Sequence, residues 1–411
     1  MPKTLKWGQE YSVLVDVGAI ADAFTLDHST LDGTDTLDGS TDFFDVTEYV
    51  LNVSVQRGRQ NQTTQFGPGT VQITADDRAA DRLFDPLNEA SELYSGGFDL
   101  APGRQVKVMA GTANLFVGKI TDVDIQYGLP NLSFCNITGA DALADLGNLT
   151  LTAFTPSQQS TSDRVNAILD RPEVSFSTAN RDITASPSAT CGTVAYQDNA
   201  NVLQMLQGVA YAEDGRFFAN RDNTLVFDPR VSFSFSTAIA NFGGTNIPML
   251  DLSVGYGAET LYNRVSVAVD SIGSAQVSND TTSQGKYGIQ TLSLSSVPLA
   301  TEAAGSALAA NLLSKYKDPV VRFDNVTTSL QAAGTSNFNT LLTLDVGDII
   351  SVTRTYTGGS PATVTQDVFV EAIAHAITPT DHRITFTLGQ AQLYTQFILD
   401  TSTLDSDDRL T

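Results

Sequence analysis

The side chains best suited to acid–base, nucleophilic or metal chemistry in this 411-residue chain are few. They are His28, His375 and His382, the thiols Cys135 and Cys191, the adjacent carboxylates Asp76 and Asp77, and the acidic series Asp32, Asp35, Asp38 and Asp42. A catalytic histidine needs a nucleophile within reach. His28 lies in an acidic segment, His375 on the alternating run Phe369–Ile377, and His382 in the turn Thr380–Arg383; none sits in a G-x-S-x-G, Q-x-C or H-E-x-x-H setting. Each reads as a solvent-facing or strand histidine. Two carboxylates cleave a glycosidic bond only if they converge on it, and neighbours on a strand point to opposite faces. Asp76 and Asp77 are therefore expected in a structural network with Arg57, Arg59, Arg78 and Arg82 that holds a loop to the rim of a barrel. The Asp32 to Asp42 series lacks the alternate-residue oxygens and distal Glu of an EF-hand loop. Neither cysteine has a C-x-x-C partner or a nearby histidine, and buried free thiols are expected. No catalytic, cofactor-binding or metal-binding residue is nominated, and the chain is expected not to be an enzyme.

The elements that must position these residues are mostly strands. Tyr49, Leu51, Val53 and Val55 alternate with Val50, Asn52, Ser54 and Gln56; a polar run and the breaker Gly67-Pro68-Gly69 follow; Val71, Ile73 and Ala75 then alternate with Thr70, Gln72 and Thr74. This is a hairpin. Leu115–Ile120 begins a strand whose alternation slips by one before Val123, Ile125 and Tyr127 resume it, which predicts a β-bulge near Thr121. With a strand over 132–139 and a short helix over Ala140–Leu146, the first unit is expected to be a small closed or nearly closed β-barrel.

After Ser160 the period becomes helical. Thr161 or Ser162 caps a helix that starts at Asp163 and stops at Pro172, and Val202, Met205, Leu206 and Val209 mark a second that ends at Gly215. The hairpin Arg216–Ala219 with Thr224–Phe227 completes a small α+β unit. Residues 235–249 read as a linker. Strands at Val265–Val269 and Leu292–Leu294, a helix over 301–317, and further strands from Val320 follow.

Within this frame four pieces recur in one order: Arg57-Gly58-Arg59, Ala75-Asp76-Asp77-Arg78, Phe84-Asp85-Pro86-Leu87-Asn88 and Leu100-Ala101-Pro102-Gly103-Arg104-Gln105-Val106-Lys107-Val108. The order resembles the minor tail proteins, or baseplate hub proteins, of long-tailed bacteriophages, most clearly over the first third of the chain. The resemblance implies a mainly β, hub-like fold with two tube-type β-barrels flanking a small α+β domain. It also implies a homotrimer in the virion tail tip, with the distal tail protein, tail tube, tape measure protein and tip or fibre proteins as partners. DNA would pass through its lumen without specific binding.

A second stretch supports a duplication. Leu344–Val352 mirrors Leu100–Val108, Val368–Ile373 mirrors Leu115–Ile120, and Arg383–Leu388 stands where 132–138 stood. The expected domains are an N-terminal strand and acidic arm (1–48), a first barrel (49–150), the α+β domain (151–235), a second barrel (236–395) and a C-terminal arm (396–411). The pattern F-x-L-D-x-S-T-L-D occurs at 24–32 and again at 397–405. Phe24, Leu26, Leu31, Phe397, Leu399 and Leu404 are expected to anchor two such arms on neighbouring subunits or tail proteins. Three molecules with two similar barrels each would present six, and so meet a six-fold tube and a three-fold tip.

Composition narrows the function classes. A net charge of −23, from 46 acidic and 23 basic residues, leaves no clustered cations for a sustained grip on nucleic acid. The same charge suits a soluble assembly component, or a lumen wall to which DNA does not stick. No apolar run is long enough to cross a bilayer and no secretory leader is recognised, so assembly in the host cytoplasm without membrane insertion is expected. A tail-tip adhesin for cell-wall glycan and a tail-associated cell-wall hydrolase are the alternatives. Aromatics make up 8 % of the chain and fall mostly at alternating strand positions, which gives neither alternative a recognisable site.

Overall fold

The computed structural model describes residues 10–17, 43–78, 82–94, 99–128, 132–185, 189–230, 237–270, 272–356 and 358–391. The arm residues Phe24, Leu26, Leu31, Phe397, Leu399 and Leu404, together with His28 and the Asp32 to Asp42 series, lie outside the described residues.

A 13-stranded sheet dominates a mainly β molecule. Its front set comprises β1 (Tyr11–Asp16), β2 (Phe43–Asp45), β3 (Val50–Gly58), β4 (Gly67–Asp76), β5 (Gln105–Ala110), β6 (Ala113–Gly128) and β7 (Leu132–Ala140). Its rear set comprises β8 (Ala240–Phe242), β9 (Asp251–Gly255), β10 (Arg322–Ser329), β11 (Ile349–Thr355), β12 (Thr363–Ile377) and β13 (His382–Gln390). The spatial order is β9-β10-β13-β12-β3-β4-β7-β6-β5-β1-β2, with β11 on β12 and β8 on β11. The alternation read for β3 and β4 sets their register, Val53 opposite Ile73 and Val55 opposite Val71, so one face of the hairpin is apolar and the other polar.

The two sets repeat one strand order. The front set runs β3-β4-β7-β6-β5-β1 and the rear set β9-β10-β13-β12-β11-β8, the same permutation of chain order. Neighbours are antiparallel throughout, except that β8 lies parallel to β11 whereas β1 is antiparallel to β5. The likeness extends to single hydrogen bonds. Gly103 N donates to Ile120 O (2.7 Å) and Ile120 N to Arg104 O (2.7 Å); Gly347 N donates to Val370 O (2.9 Å) and Val370 N to Asp348 O (2.8 Å). Both glycines sit at positive φ, +92° and +97°, where a side chain would be strained. The bulge expected at Thr121 is present, as a register shift between Ile120 and Asp122, and its counterpart is at Glu371, between Val370 and Ala372. Ile120 therefore corresponds to Val370, not to Ile373. Apolar alternation has a period of two and leaves the register of a copied strand open; the bulge fixes it.

Barrel closure is not seen among the described strands. β3 has only two edges; one is bonded to β4 and the other to β12, so the front set runs on into the rear set. A single core spans both sets and the α+β unit, with Val55, Ile73, Ile137, Leu206, Phe227, Ile373 and Phe386 all buried. In the α+β unit the helices are Thr161–Leu169 and Val202–Glu213. Ser160, rather than Thr161 or Ser162, caps the first by accepting from Asp163 N (3.1 Å). The hairpin Arg216–Ala219 with Leu225–Asp228 carries Arg181–Ile183 as a third, parallel strand.

Two segments differ from expectation. The stretch read as a linker contains β8, whose three residues are too few for alternation to register. The strands Arg264–Val269, Ser274–Asn279 and Thr291–Val297 pair with one another in a separate sheet rather than joining the rear set. The helix Glu302–Tyr316 covers them, closing a second core of Val265, Val267, Leu294, Leu308, Leu312 and Tyr316.

Candidate functional site: the seam between the two strand sets

β3 and β12 pair antiparallel from Gly58 opposite Ala372 to Val53 opposite Ile377. Gly58, at φ +111°, brings the end of β3 so close to β12 that a Cβ would run into the Glu371 carbonyl oxygen and Ala372 Cα. Arg59 N then donates to Glu371 O (2.9 Å).

Charges are buried beside this crossing. Glu371 is fully buried; its Oε2 accepts from Arg59 Nε (2.6 Å) and its Oε1 from Arg216 Nη2 (3.2 Å). The guanidiniums also lie over rings, Arg59 4.5 Å from the centroid of Phe66 and Arg216 4.1 Å from that of Phe369. Burial pushes the Glu371 carboxyl up, but Arg59 and Arg216 outweigh it and hold the group below its ordinary range. Arg57 Nη1 donates to Asp345 Oδ1 (2.7 Å), and Asp345 Oδ2 accepts from Arg221 N (3.0 Å). The front hairpin, the α+β unit and the rear set are thus tied at one place. Next to it Asp141 caps the helix Ala142–Asn148, accepting from Leu143 N (3.0 Å) and from Gly69 N (2.7 Å). Burial pushes this carboxyl up to about 7, against those bonds and the nearby Arg57.

Further along the seam His375, opposite Val55, places its Nδ1 2.9 Å from His382 Nε2, and His382 Nδ1 lies 2.6 Å from the Tyr11 hydroxyl on β1. Burial drives His382 down to about 3 and His375 well below its ordinary value, so both rings are neutral. His382 is the fully buried first residue of β13, not a turn residue: the β12–β13 register sets it opposite Ile377 and tucks it beneath the sheet. This chain of hydrogen bonds is buried, His382 fully and His375 and Tyr11 nearly so. It joins β1 to the rear set.

The expected Asp/Arg network is two separate groups. Arg78 forks onto Asp76, Nε to Oδ1 at 2.7 Å and Nη2 to Oδ2 at 2.5 Å. Buried Asp77 accepts from Phe84 N (3.1 Å) and Ser133 Oγ (3.1 Å), fixing the following loop to β7, with Arg82 adding a favourable charge. Arg57 and Arg59 make their ion pairs with Asp345 and Glu371 instead. The reason is register: Val50 lies opposite Ala75 and Gly58 opposite Gly67, so Arg57 and Asp76 sit at opposite ends of the hairpin. Sequence reading missed Glu371, Asp345, Arg216 and Asp141. A signal was there for Glu371, a lone charge inside the apolar run Val368–Ile373.

The face of the run β6-β7-β4-β3-β12-β13-β10-β9 turned away from the core is polar. One row across it reads Asp122, Thr138, Gln72, Ser54, Ala376, Arg383. Cross-strand bonds knit it, Thr74 Oγ1 to Asn136 Oδ1 and Thr387 Oγ1 to Asn325 Oδ1, both 3.0 Å. Arg383 is paired with Asp381 at 2.8 Å. Cys135 and Cys191 are buried free thiols that burial pushes up to about 12. Among the described residues no group of His, Cys, Asp or Glu is placed to hold a metal ion, and no helix is long and apolar enough to cross a membrane.

No protein-family model matches the sequence, and no curated protein matches it significantly. Solved structures do match. The tail protein from Neisseria meningitidis MC58 superposes with a TM-score of 0.58 at 10 % identity, covering 93 % of this chain and 97 % of that one. The 43 kDa tail protein of prophage MuSo2 from Shewanella oneidensis gives 0.57 at 10 % identity, covering 86 % and 97 %. The chain has the fold of phage tail proteins. A chain of the lidded Francisella PdpA–VgrG complex is also similar, with a TM-score of 0.50 at 9 % identity, covering 98 % of this chain and 55 % of that one. At 10 % identity the likeness lies in backbone arrangement rather than in shared side chains.

Proposed function

We propose that this chain is a structural hub of a phage tail tip, three copies of which encircle a channel and join a six-fold tail tube to a three-fold tip. The observation that carries the reading is the repeated strand order, down to the paired Gly103/Gly347 turns and Thr121/Glu371 bulges, within one continuous sheet. Three molecules so built present six similar strand sets around one axis. The hub's division is that of two tube-type units, 49–150 and 236–395, about the α+β domain 151–235, with arms at 1–48 and 396–411 docking on neighbours through Phe24, Leu26, Leu31, Phe397, Leu399 and Leu404. Its partners are the distal tail protein, the tail tube, the tape measure protein and tip or fibre proteins.

The role is mechanical rather than enzymatic. The buried charges at the seam are held in ion pairs that fix one strand set against the other. The polar face of the eight-strand run faces the lumen, where hydroxyls, amides, the carboxylates of Asp122 and Asp124 and an Arg383 already paired with Asp381 offer a polyanion little to bind. The assembly mass of the purified protein, alone and with tail-tube and distal tail proteins, tests this: a trimer that forms rings is expected. A chain that remains monomeric with those partners present refutes it.

A further inference from the structure

The chain contains one seam between a front and a rear strand set, and the repeat implies a second that a single molecule leaves open. In the seam present, β3 covers the edge of β12 beyond its bulge, over Ala372–Ile377. The equivalent stretch of the front set is β6 beyond Thr121, residues 122–127. There β7 occupies one edge, β5 has ended opposite Lys119, and among the described residues no strand lies on the other edge, where Val123 N donates to the side chain of Asp122 (2.9 Å). The rear-set equivalent of β3 is β9, which is bonded to β10 on one side and bare among the described residues on the other. Bare strand edges are costly to leave open and are managed by covering them.

Exposed apolar side chains gather at these two edges. Tyr127 is 56 % exposed, Val254 39 % and the adjoining Tyr256 69 %. Resting on the ring reading, we infer that β9 of one copy pairs antiparallel with residues 122–127 of β6 in the next copy, and the repeat fixes the register.

In the seam present, Val53 faces Ile377, Ser54 faces Ala376 and Val55 faces His375. Aligned on the bulges, Ile377, Ala376 and His375 correspond to Tyr127, Gln126 and Ile125. Ser54 faces Gln72 and Gln72 faces Thr138; Ser253 faces Asn325 and Asn325 faces Thr387. Thr138 and Thr387 follow the two bulges alike, so Ser253 takes the place of Ser54. Leu252 then faces Tyr127, Ser253 faces Gln126 and Val254 faces Ile125. Strand direction alternates without a break along β6-β7-β4-β3-β12-β13-β10-β9, so the next β6 enters in the sense antiparallel pairing requires.

The test is a cysteine pair on the polar face, Gln126→Cys with Ser253→Cys, oxidised with copper phenanthroline, which takes up the two electrons as two thiols lose their protons and form one disulfide. Directly opposite residues lie within disulfide reach, whereas Asp122→Cys with Ser253→Cys is displaced by about 13 Å along the strand. The expected result is chain-to-chain cross-linking by the first pair, roughly tenfold above the second. Each single variant reports folding, and the buried native thiols do not compete. An oligomer of unchanged mass in which the first pair fails to cross-link, or links no better than the second, overturns the register and leaves the ring standing. A monomer at all concentrations and with tail partners overturns both.

Discussion

Replacing Glu371 by alanine would leave two guanidiniums in the interior without their shared anion. The side chains of Arg59 and Arg216 are 8 % and 2 % exposed and that of Glu371 is fully buried, so water cannot take the place of the lost carboxylate. Removing one partner of a buried pair costs about 3–5 kcal/mol, mostly the penalty for the charge left behind. Here two charges are left, and the upper end of that range is expected for Glu371→Ala. In a chain of this length, at about 2.1 cal/mol/K of unfolding entropy per residue, that is a fall of about 5–6 °C in the melting temperature. Glu371→Gln keeps the volume and one acceptor oxygen, and recovers at most about half. Because the folded carboxyl titrates below its ordinary value of 4.5, its stabilisation is present above that pH and is lost on acidification. Chemical denaturation of both variants at pH 7 and pH 4 is the assay. The parent-to-alanine gap should narrow at the lower pH. A Glu371→Ala protein within about 1 kcal/mol of the parent at pH 7 would refute the claim that this triad locks the seam.

Three further outcomes follow from the seam. Gly58→Ala combines a positive φ with a collision against β12, and should destabilise the fold by more than about 3 kcal/mol; calorimetry on that variant, beside an alanine at exposed Gly67, checks it. Asp141, raised from 3.8 to about 7, favours the fold when protonated, so its contribution is full below pH 3.8 and is lost as pH rises to about 7. Denaturation of Asp141→Asn from pH 4 to pH 8 should show the variant gaining on the parent by up to about 4 kcal/mol, and a gap that does not change with pH would contradict the burial argument. His375 and His382, depressed by burial, support the fold above pH 6.5 and cease to as pH falls through their folded values. Nitrogen NMR of histidine-labelled protein should show both rings neutral at pH 5, and a cationic ring there would be inconsistent with the buried chain to Tyr11.

The candidate site divides along the same lines as its energetics. The Asp76–Arg78 fork was legible, because its partners are two residues apart on one strand end. The anchoring of Asp77 to the loop was foreseeable in kind, since a carboxylate before an F-D-P-L-N turn needs donors close by. The partners of Arg57 and Arg59 were not legible: they lie on another strand set hundreds of residues away, and nothing in Arg-Gly-Arg distinguishes Asp76 from Glu371 as a counterion. His382 was misplaced for a related reason. Thr-Asp-His-Arg carries turn residues, and only the β12–β13 pairing shows where the turn ends.

By itself the sequence determined what short-range physics can determine. Side-chain alternation made β3 and β4 a hairpin, a slip in that alternation located the bulge at Thr121, and glycines at 103 and 347 marked two turns of one design. Tertiary structure alone decided that the free edge of β3 lies on β12, that one sheet therefore runs through both sets, and that Glu371 sits between two arginines from separate parts of the chain. Strand edges pair through backbone N–H and C=O groups, which are nearly the same at every residue, so the partner of an edge is chosen by the packing of the whole molecule and leaves little trace in any local stretch of sequence.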